Sequence, residues 1–506
     1  VTSELFDSYG YNLGALNASG PIWSKKDTAG NVLSTKLGYF AAVEGEFQKD
    51  PDPSNIGVYQ VKPDVMRNLE ENPLRPSDDG TFFLNNAFFL RNSDFERVKA
   101  KQSNRTDVLR ANVRFDYEVA ENAYIKVGGS FQRNTQNFWE LRNMLAPNST
   151  ETRKENTYRG YVRFQQSFEG DSSSILKNVN YSVQADYTLF TRTREQDPFG
   201  DNFFKYGHIG SFDLLKAPFY APVSPGDAGY NSAYSNLPYL QNVAYIDTTL
   251  TFDAGNSSNP IQANYNSYIF NYIRNNPRLV GFNLFEQPHL SGNVLSFDDL
   301  LRLGGLRNGD QPQGVYNLWD AQGSIFGAFV RQNNEMFRIT GQGTAELGKN
   351  KDRLHNIKVG FEFEQRNDRF YSMVAPSLWN LMRQLSNKHI TSLDLSNPQP
   401  VYNGSGIFQD TVNYSRLYVE GLQSTFDRNL RSKLGLPVNG TDFVVTDKYD
   451  PGFYSLDMFN VNELLNGGNS VVNYYGYDFK GGRARNASAG AFFNDTINRP
   501  QNAFGP

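Results

Sequence analysis

The sequence predicts an all-β protein that forms part of a large antiparallel transmembrane β-barrel with very long extracellular loops. Three observations lead to this fold class. Apolar and polar residues alternate over segments such as 109–119, well beyond the five or six residues or so of an ordinary strand. The connections between these segments are short and long in turn, as they are in outer-membrane barrels. No stretch approaches the roughly 18 apolar residues of a membrane helix.

The composition narrows the function classes. The 506 residues include 49 Lys and Arg against 53 Asp and Glu, a net charge of −4, so no nucleic-acid partner is expected, because that needs a basic surface. The chain has no cysteine, which excludes disulfides, thiolate metal ligands and cysteine nucleophiles. Its four histidines are tens of residues apart, so neither a histidine-rich metal site nor a cofactor is expected.

The clearest strand signal covers residues 108–119. The odd positions from Leu109 to Val119 are apolar and every even position between them is polar, which is typical of a strand with one apolar face. A tight turn at 120–123 leads into a second alternating segment at 124–134, and the pair predicts a long hairpin. The same pattern, more or less strictly kept, predicts six more strands, near 13–23, 37–48, 157–168, 178–193, 336–347 and 355–369.

The connections sort by length. Short connections at 24–36, 120–123, 169–177 and 348–354 alternate with segments that are assigned to the extracellular side: 49–107, 135–156, 194–335 and 371–506. Charged strand faces suit a watery lumen, and apolar faces suit lipid. A large soluble antiparallel β-protein is the alternative, although it has no reason to sort its loops in this way. The lipid bilayer of the outer membrane is therefore an expected partner.

The long loops are expected to be folded caps with short strands and helical turns. Ordering so much backbone costs on the order of 1 kcal/mol per residue or more, and Phe, Tyr and Leu side chains supply the means to pack. Helical signals occur at 62–71, where Pro63 suits a helix start, and at 377–385, where Leu378, Trp379 and Met382 have helical spacing. These helices either pack against the barrel rim or contact a ligand, and the sequence leaves both alternatives open.

Several segments resemble a known receptor family. They are Gly20-Pro21-Ile22, Gly38-Tyr39-Phe40-Ala41 with Glu44, residues 49–54 and 71–75, Leu378-Trp379 with Arg383-Gln384-Leu385 and His389, Asp457-Met458-Phe459, and Tyr474-Tyr475-Gly476-Tyr477-Asp478. They look like the barrel and loop segments of TonB-dependent outer-membrane receptors, and more closely of the Oar-like group, whose members often begin with a carboxypeptidase-regulatory-like domain. The resemblance spans nearly the whole chain, and its motifs mark barrel and loops rather than a substrate.

The resemblance implies a barrel of about 22 strands, a plug domain before it, and contact with the TonB complex through that plug. Eight strands and no plug segment are recognised, so residues 1–506 are expected to be the first half of such a barrel, with the plug and the C-terminal half outside this sequence. Eight strands of a large barrel leave two open edges, which lipid does not tolerate. The missing part, or another chain, is expected to close the gap.

The candidate site residues fall into two groups. The first faces the lumen, where its members form an ion-pair lattice with Glu118 or contact the plug or a passing substrate: Arg110, Arg114, Asp116, Lys126, Arg338, Glu346, Glu362 and Glu364. The second lies in the loops, where aromatic side chains suit sugars, peptides and chelates alike: Phe219, Tyr220, Tyr265, Tyr268 and Trp379.

Motifs of enzyme chemistry are not found. The sequence has no GxSxG elbow, no Walker loop and no HExxH, and the chain is expected not to be an enzyme. Glu362 and Glu364 share a face, but charged lumen walls are routine. Asp50 and Asp52 could reach a cation, although Pro51 and Pro53 more simply make a stiff turn, and no metal site is expected.

Three functions compete. A TonB-dependent transporter would bind its ligand on the extracellular loops and the plug. A structural or assembly component of a larger outer-membrane complex would use the same loops to dock a surface lipoprotein or other outer-membrane proteins. A secreted carbohydrate-binding β-protein would need no membrane and no detergent.

Overall fold

A computed structural model describes residues 10–170, 174–276, 292–348, 355–465 and 470–484. Its strands are, in chain order, β1 (Asn12–Lys26), β2 (Val32–Gln48), β3 (Val58–Val61), β4 (Leu74–Pro76), β5 (Phe83–Asn85), β6 (Phe95–Val98), β7 (Thr106–Ala120), β8 (Ala123–Phe138), β9 (Glu151–Phe168), β10 (Leu176–Glu195), β11 (Ser211–Val223), β12 (Tyr239–Asp253), β13 (Ala328–Leu347), β14 (His355–Val374), β15 (Ile390–Leu393), β16 (Gln399–Tyr402), β17 (Phe408–Asn413), β18 (Arg416–Tyr418) and β19 (Val472–Tyr475). Its α-helices are α1 (Pro63–Glu71), α2 (Pro260–Asn275), α3 (Phe297–Arg302), α4 (Ser377–Leu385), α5 (Thr425–Lys433) and α6 (Val461–Leu465). None of these helices is long and apolar enough to cross a membrane.

The dominant element is a nine-stranded antiparallel sheet with the order β1-β2-β7-β8-β9-β10-β13-β14-β19. Its first eight strands overlap, one by one, the eight ranges that alternation predicts. They are 15 to 20 residues long, longer than predicted, because backbone pairing continues past the point where the alternation of side chains stops. The sheet is open among the described residues: β1 forms one edge, and β19 covers only Phe370–Met373 of β14 at the other.

The register lines up side chains of one kind across the sheet. One row is apolar over eight strands: Gly20, Tyr39, Phe115, Val127, Val162, Ala185, Ile339 and Phe363. The adjacent row, which the pleat turns to the opposite face, is polar from β7 to β14: Asp116, Lys126, Arg163, Gln184, Thr340 and Glu362. A slip of one residue in any strand would mix the two faces.

The connections differ in length at the two ends of the sheet. Neighbouring strands are antiparallel, so successive connections lie at opposite ends. The short ones include Glu121-Asn122 between β7 and β8, where Asn122 has a φ of 60°, a left-handed conformation that Asn tolerates. The long ones all lie at the other end. Their described residues, at 49–105, 139–150, 196–327 and 375–484 without β19, are called the cap from here on.

The cap is folded around its own apolar cores. The largest core joins α4, α5 and α6 to the cap-side ends of β13 and β14: its fully buried members include Tyr206, Phe329, Tyr371, Leu378, Trp379, Phe426 and Leu464. A second core brings Leu74 and Phe83 against α2, α3 and the strands β11 and β12. Because residues from three separate connections share these cores, the cap is one packed body rather than a set of independent loops.

Both helices that the sequence indicates are present. Helix α1 begins at Pro63 and buries Leu69, and α4 spans the expected residues 377–385 and buries Leu378, Trp379 and Met382. The expectation of short strands in the long segments is met by β3 to β6 and β15 to β18, whereas β11 and β12 are longer, with 13 and 15 residues. Parts of the predicted segments 194–335 and 371–506, at 277–291, 466–469 and 485–506, lie outside the described residues.

Candidate functional site

The polar face of the sheet carries paired charges, and Arg110 shows how they are arranged. Its guanidinium lies between two carboxylates of the neighbouring strand β2, bonding Glu44 and, at 3.0 Å, Glu46. Hydrogen bonds to both carboxylates fix the side chain in place. Sequence reasoning paired Arg110 with later carboxylates instead, because the register of β2 against β7 is not visible across the long connection at 49–105.

Most of the other predicted residues of this face are also paired, along or across adjacent strands. Asp116 accepts from Arg114 at 2.8 Å and lies 3.7 Å from Lys126. Arg338 bonds Asp186 of the neighbouring strand at 3.0 Å, Glu364 pairs with Arg366, and Glu346 accepts from Asn178 at 2.7 Å. Glu362 stands in the polar row opposite Thr340. Several ion pairs are therefore present on this face, with partners that differ in part from the expected ones, and contact of these residues with a plug or a substrate stays a prediction.

The polar face carries paired charges but, among the described residues, no set of side chains suited to a metal ion. Within the described residues, no group of three or more His, Asp or Glu side chains is close enough to bind a metal ion.

Asp50, one of the two carboxylates considered for a cation, lies in the cap. It is buried and accepts from Asn104 Nδ2 at 2.7 Å and from the Lys101 amide at 2.8 Å. These donors supply what a cation would, so the turn interpretation of Asp50 fits the structure.

The aromatic residues predicted to contact a ligand in the loops have unequal positions. Trp379 is fully buried and donates from Nε1 to the Phe204 carbonyl at 3.1 Å. Tyr265 is 2% exposed and bonds Asn85 and Gln322. Both belong to the cores of the cap, so for these two residues packing replaces ligand contact.

The three remaining aromatic residues are closer to the surface. Phe219 is 46% exposed. Tyr220 donates to Asn413 Oδ1 at 2.6 Å and so ties β11 to β17. Tyr268 packs edge-on against Phe83 and stacks on Tyr272. Of the five, Phe219 is the most exposed and the best placed to meet a molecule outside the cap.

Buried polar groups hold α4 in place. Arg383 donates to Asp447 at 2.8 Å and to the Asn308 carbonyl at 2.9 Å. Burial raises the pKa of the Asp447 carboxyl, and the Arg383 guanidinium opposes that rise. His208 stacks on Trp379 with 5.5 Å between ring centres, and burial lowers its pKa to about 4. Arg383 and Trp379 belong to a segment that resembles the receptor family, but no sequence motif marks their partners Asp447, Asn308 and His208, because these come from separate segments of the chain.

A cleft of about 520 Å³ opens on the cap between β12 and β15. Its walls carry Tyr245 and Val243 from β12, Ile390 to Leu393 from β15, and Arg416 and Phe443 from later segments. Sequence reasoning missed this cleft, because its lining residues come from separate parts of the chain that only the fold brings together. The cleft combines apolar walls with Arg416, an arginine that has no carboxylate partner among the described residues.

Comparisons with known proteins give distant similarity only. No family model matches the chain, and no curated protein matches it. Among solved structures, the chain is similar to the siderophore receptor PiuA from Acinetobacter baumannii, with 8% identity and a TM-score of 0.21, over 72% of this chain and 47% of that one. It is also similar to the ferric-catecholate import receptor Fiu from E. coli K12, with 10% identity and a TM-score of 0.22, over 72% of this chain and 46% of that one. The chain thus spans about half the length of each of these two receptors.

Proposed function

We propose that this chain is the barrel part of a TonB-dependent receptor in the outer membrane of a Gram-negative bacterium, which takes up a ligand through a plugged barrel. The observation that carries the proposal is the sorting of side chains by the register of the nine-stranded sheet. Apolar residues occupy one face in continuous rows, and paired charges occupy the other. The geometry supports a barrel wall in a membrane, and the assignment to TonB-dependent receptors comes from the sequence segments that resemble that family.

Exposing the apolar face of the sheet to water would be energetically unfavourable. Several side chains of its apolar rows are about half exposed: Val127 by 44%, Val162 by 50% and Phe363 by 54%. Soluble proteins rarely expose contiguous apolar patches larger than a few hundred Å². Lipid tails cover such a face without any packed partner, and strands of this length can cross a bilayer at a steep tilt.

The polar face then lines an aqueous lumen. Its charges pair within and between strands, which keeps them satisfied while the lumen admits water, a plug or a passing solute. Lipid is the partner that follows from this arrangement, whereas the plug inside and the TonB complex are partners that the family resemblance implies. The cap, on the extracellular side, carries the surface for the ligand or for a surface lipoprotein.

An assembly role is the second candidate. The cap is a packed body with several cores of its own, which is more structure than binding one small ligand requires. A component of a larger outer-membrane complex would use that body to dock its partners. Recovery of the same lipoproteins with the protein, together with unchanged uptake on deletion of the gene, would favour this role over transport.

Single cysteines test the orientation, and the chain offers a clean background because it has none of its own. Glu121 lies at a short turn and Ser232 in the cap, and both are exposed. In the full-length protein on intact cells, an impermeant maleimide should label Ser232→Cys and should leave Glu121→Cys unlabelled until the outer membrane is permeabilised. Labelling of Glu121→Cys on intact cells would overturn the proposed topology.

A further inference from the structure

The cleft between β12 and β15 contains an arginine whose charge the protein leaves uncompensated. The Arg416 guanidinium stacks on the Tyr245 ring at 4.1 Å, and its Nη1 donates to the Thr441 carbonyl at 3.2 Å. Among the described residues, no carboxylate lies within salt-bridge distance of it. A ring and a neutral carbonyl hold the side chain in position without cancelling its charge, and its other nitrogens are free to bond a ligand.

The second cation of the cleft is already neutralised. Lys216 pairs with Asp247 of β12, and its Nζ lies 4.5 Å from the Phe443 ring centre. A ligand therefore meets one free positive charge in the cleft, that of Arg416. A planar guanidinium prefers a carboxylate or a similar oxyanion, which it can bond through two parallel N–H groups.

The rest of the cleft is suited to an apolar group. Val243 is 49% exposed, Leu395 is 66% exposed and Phe443 is 38% exposed, and all three line the cavity. Val243 is the extra residue of a β-bulge, since Phe219 pairs with Ala244 and Tyr220 with Asn242. The bulge directs this apolar side chain into the cleft. The volume, about 520 Å³, lies in the range of small-ligand sites, roughly 300–1,000 Å³.

We propose that this cleft binds a ligand that carries a carboxylate next to an apolar group, with Arg416 bonding the carboxylate and the walls at Val243, Leu395 and Phe443 taking the apolar part. The site belongs to the cap alone, so the proposal does not depend on the membrane assignment of the sheet. Two sources supply this chemistry: a free small acid, and the C-terminus of a peptide.

The test compares acids with their amides on the unaltered full chain. N-acetylphenylalanine and N-acetylphenylalaninamide differ only in the charged group, and binding of each is measured by saturation-transfer NMR and by calorimetry. The acid should bind about tenfold more tightly than the amide, because a charge-assisted bond to Arg416 is lost in the amide. Equal binding of the two, or no binding of either, overturns the proposal.

Variants assign the preference to the arginine. Arg416→Gln should abolish the preference for the acid, and Arg416→Lys should keep part of it, because the charge remains but the planar fork is lost. Arg75→Gln is the matched control: Arg75 also stacks on a ring, that of Phe89 at 4.0 Å, and bonds a neutral partner, Asn86 at 2.6 Å, but it does not line the cleft. If Arg416→Gln retains the acid preference in a folded protein, the assignment is wrong.

A second pair of probes distinguishes the two sources. A hexapeptide that ends in Leu-Phe is used with a free and with an amidated C-terminus. Tighter binding of the free peptide than of N-acetylphenylalanine indicates a protein C-terminus as the ligand. Equal affinity of the peptide acid and the small acid indicates a free acid, and loss of the acid preference in both pairs contradicts the proposal.

Discussion

His208 occupies an unusual position for a titratable side chain. It is 1% exposed, its ring stacks on Trp379, and neither ring nitrogen has a hydrogen-bond partner among the described residues. Burial lowers its pKa from 6.5 to about 4, while Asp450 weakly opposes the shift. The folded cap therefore holds His208 neutral, and protonation favours the unfolded state.

This predicts an acid-sensitive cap. A depressed pKa contributes stability that is fully present above pH 6.5 and is lost as the pH falls through about 4. The loss in the free energy of unfolding should be up to about 3 kcal/mol for a shift of this size. Urea unfolding of the cap, followed by near-ultraviolet circular dichroism at pH 7, 5.5 and 4, measures it.

The variant His208→Phe isolates the group responsible. Phenylalanine keeps a flat ring against Trp379 and cannot titrate, so the pH dependence between 6.5 and 4 should flatten. His355→Phe serves as the control, because His355 is exposed at the start of β14. An identical pH profile for His208→Phe and the unaltered protein would contradict this account of His208.

A buried ion pair in α5 should matter far more than an exposed one elsewhere in the cap. Asp427 and Arg431 are both fully buried and bond at 2.8 Å, whereas the Lys480–Asp457 pair is largely exposed. Arg431→Met leaves a buried carboxylate without its cation and should cost about 3–5 kcal/mol of unfolding free energy. Lys480→Met should cost less than about 1 kcal/mol. Comparable losses in denaturant titrations of the two variants would refute this ranking.

At the scale of the strand, the two faces of β7 should respond differently to the same substitution. Val113 pairs with Ala41 and Gly129 on the apolar face, and Asn112 pairs with Ala42 and Ser130 on the polar face. In a folding assay in lipid vesicles, Val113→Arg should cost about 2–4 kcal/mol if the residue lies near mid-bilayer. Asn112→Arg should cost much less. Equal costs would contradict the assignment of the faces.

The elements that sequence reasoning finds are those with uninterrupted periodicity. The hairpin of β7 and β8 is predicted closely, because its alternation has no break. Strands β11 and β12 are not predicted from the sequence, because bulges at Leu215/Lys216 and Phe219/Tyr220 interrupt the alternation of apolar and polar residues. Helix α2 is missed as well, although it carries a signal: Asn259 caps it by accepting from the Gln262 amide, and Pro260 begins it.

The candidate site residues, too, can be predicted only where the sequence pattern itself places them. Alternation alone places Arg114, Asp116 and Lys126 on one face, so the polar face is predictable. The partners of Arg110 are not, because they depend on the register between strands that a long connection separates. The Arg416 cleft is beyond sequence reasoning, since β12, β15 and Phe443 become neighbours only through the packing of the cap.

At the scale of the whole molecule, the sheet and the cap should be separable in function. Residues 210–300 include β11, β12 and α2, none of which belongs to the nine-stranded sheet. Replacing them with a short Gly-Ser linker should leave the protein inserted and heat-modifiable on gels, but should abolish ligand binding or recovery of partners. Part of the cap will be perturbed, because Leu74 and Phe83 lose their core neighbours. Intact uptake and partner recovery would show that the cap is not the binding surface.

The central claim is that one face of the sheet meets lipid and the other meets water. Four positions on the neighbouring strands β8 and β9 test it most directly, because Val127 pairs with Val162 and Lys126 pairs with Arg163. Each is replaced by a single cysteine bearing an environment-sensitive fluorophore, in the full-length protein reconstituted in vesicles that contain brominated lipids. Brominated lipid should quench the fluorophore strongly at 127 and 162, and aqueous iodide should quench it at 126 and 163. Uniform behaviour at all four positions, or the reverse pattern, would contradict it.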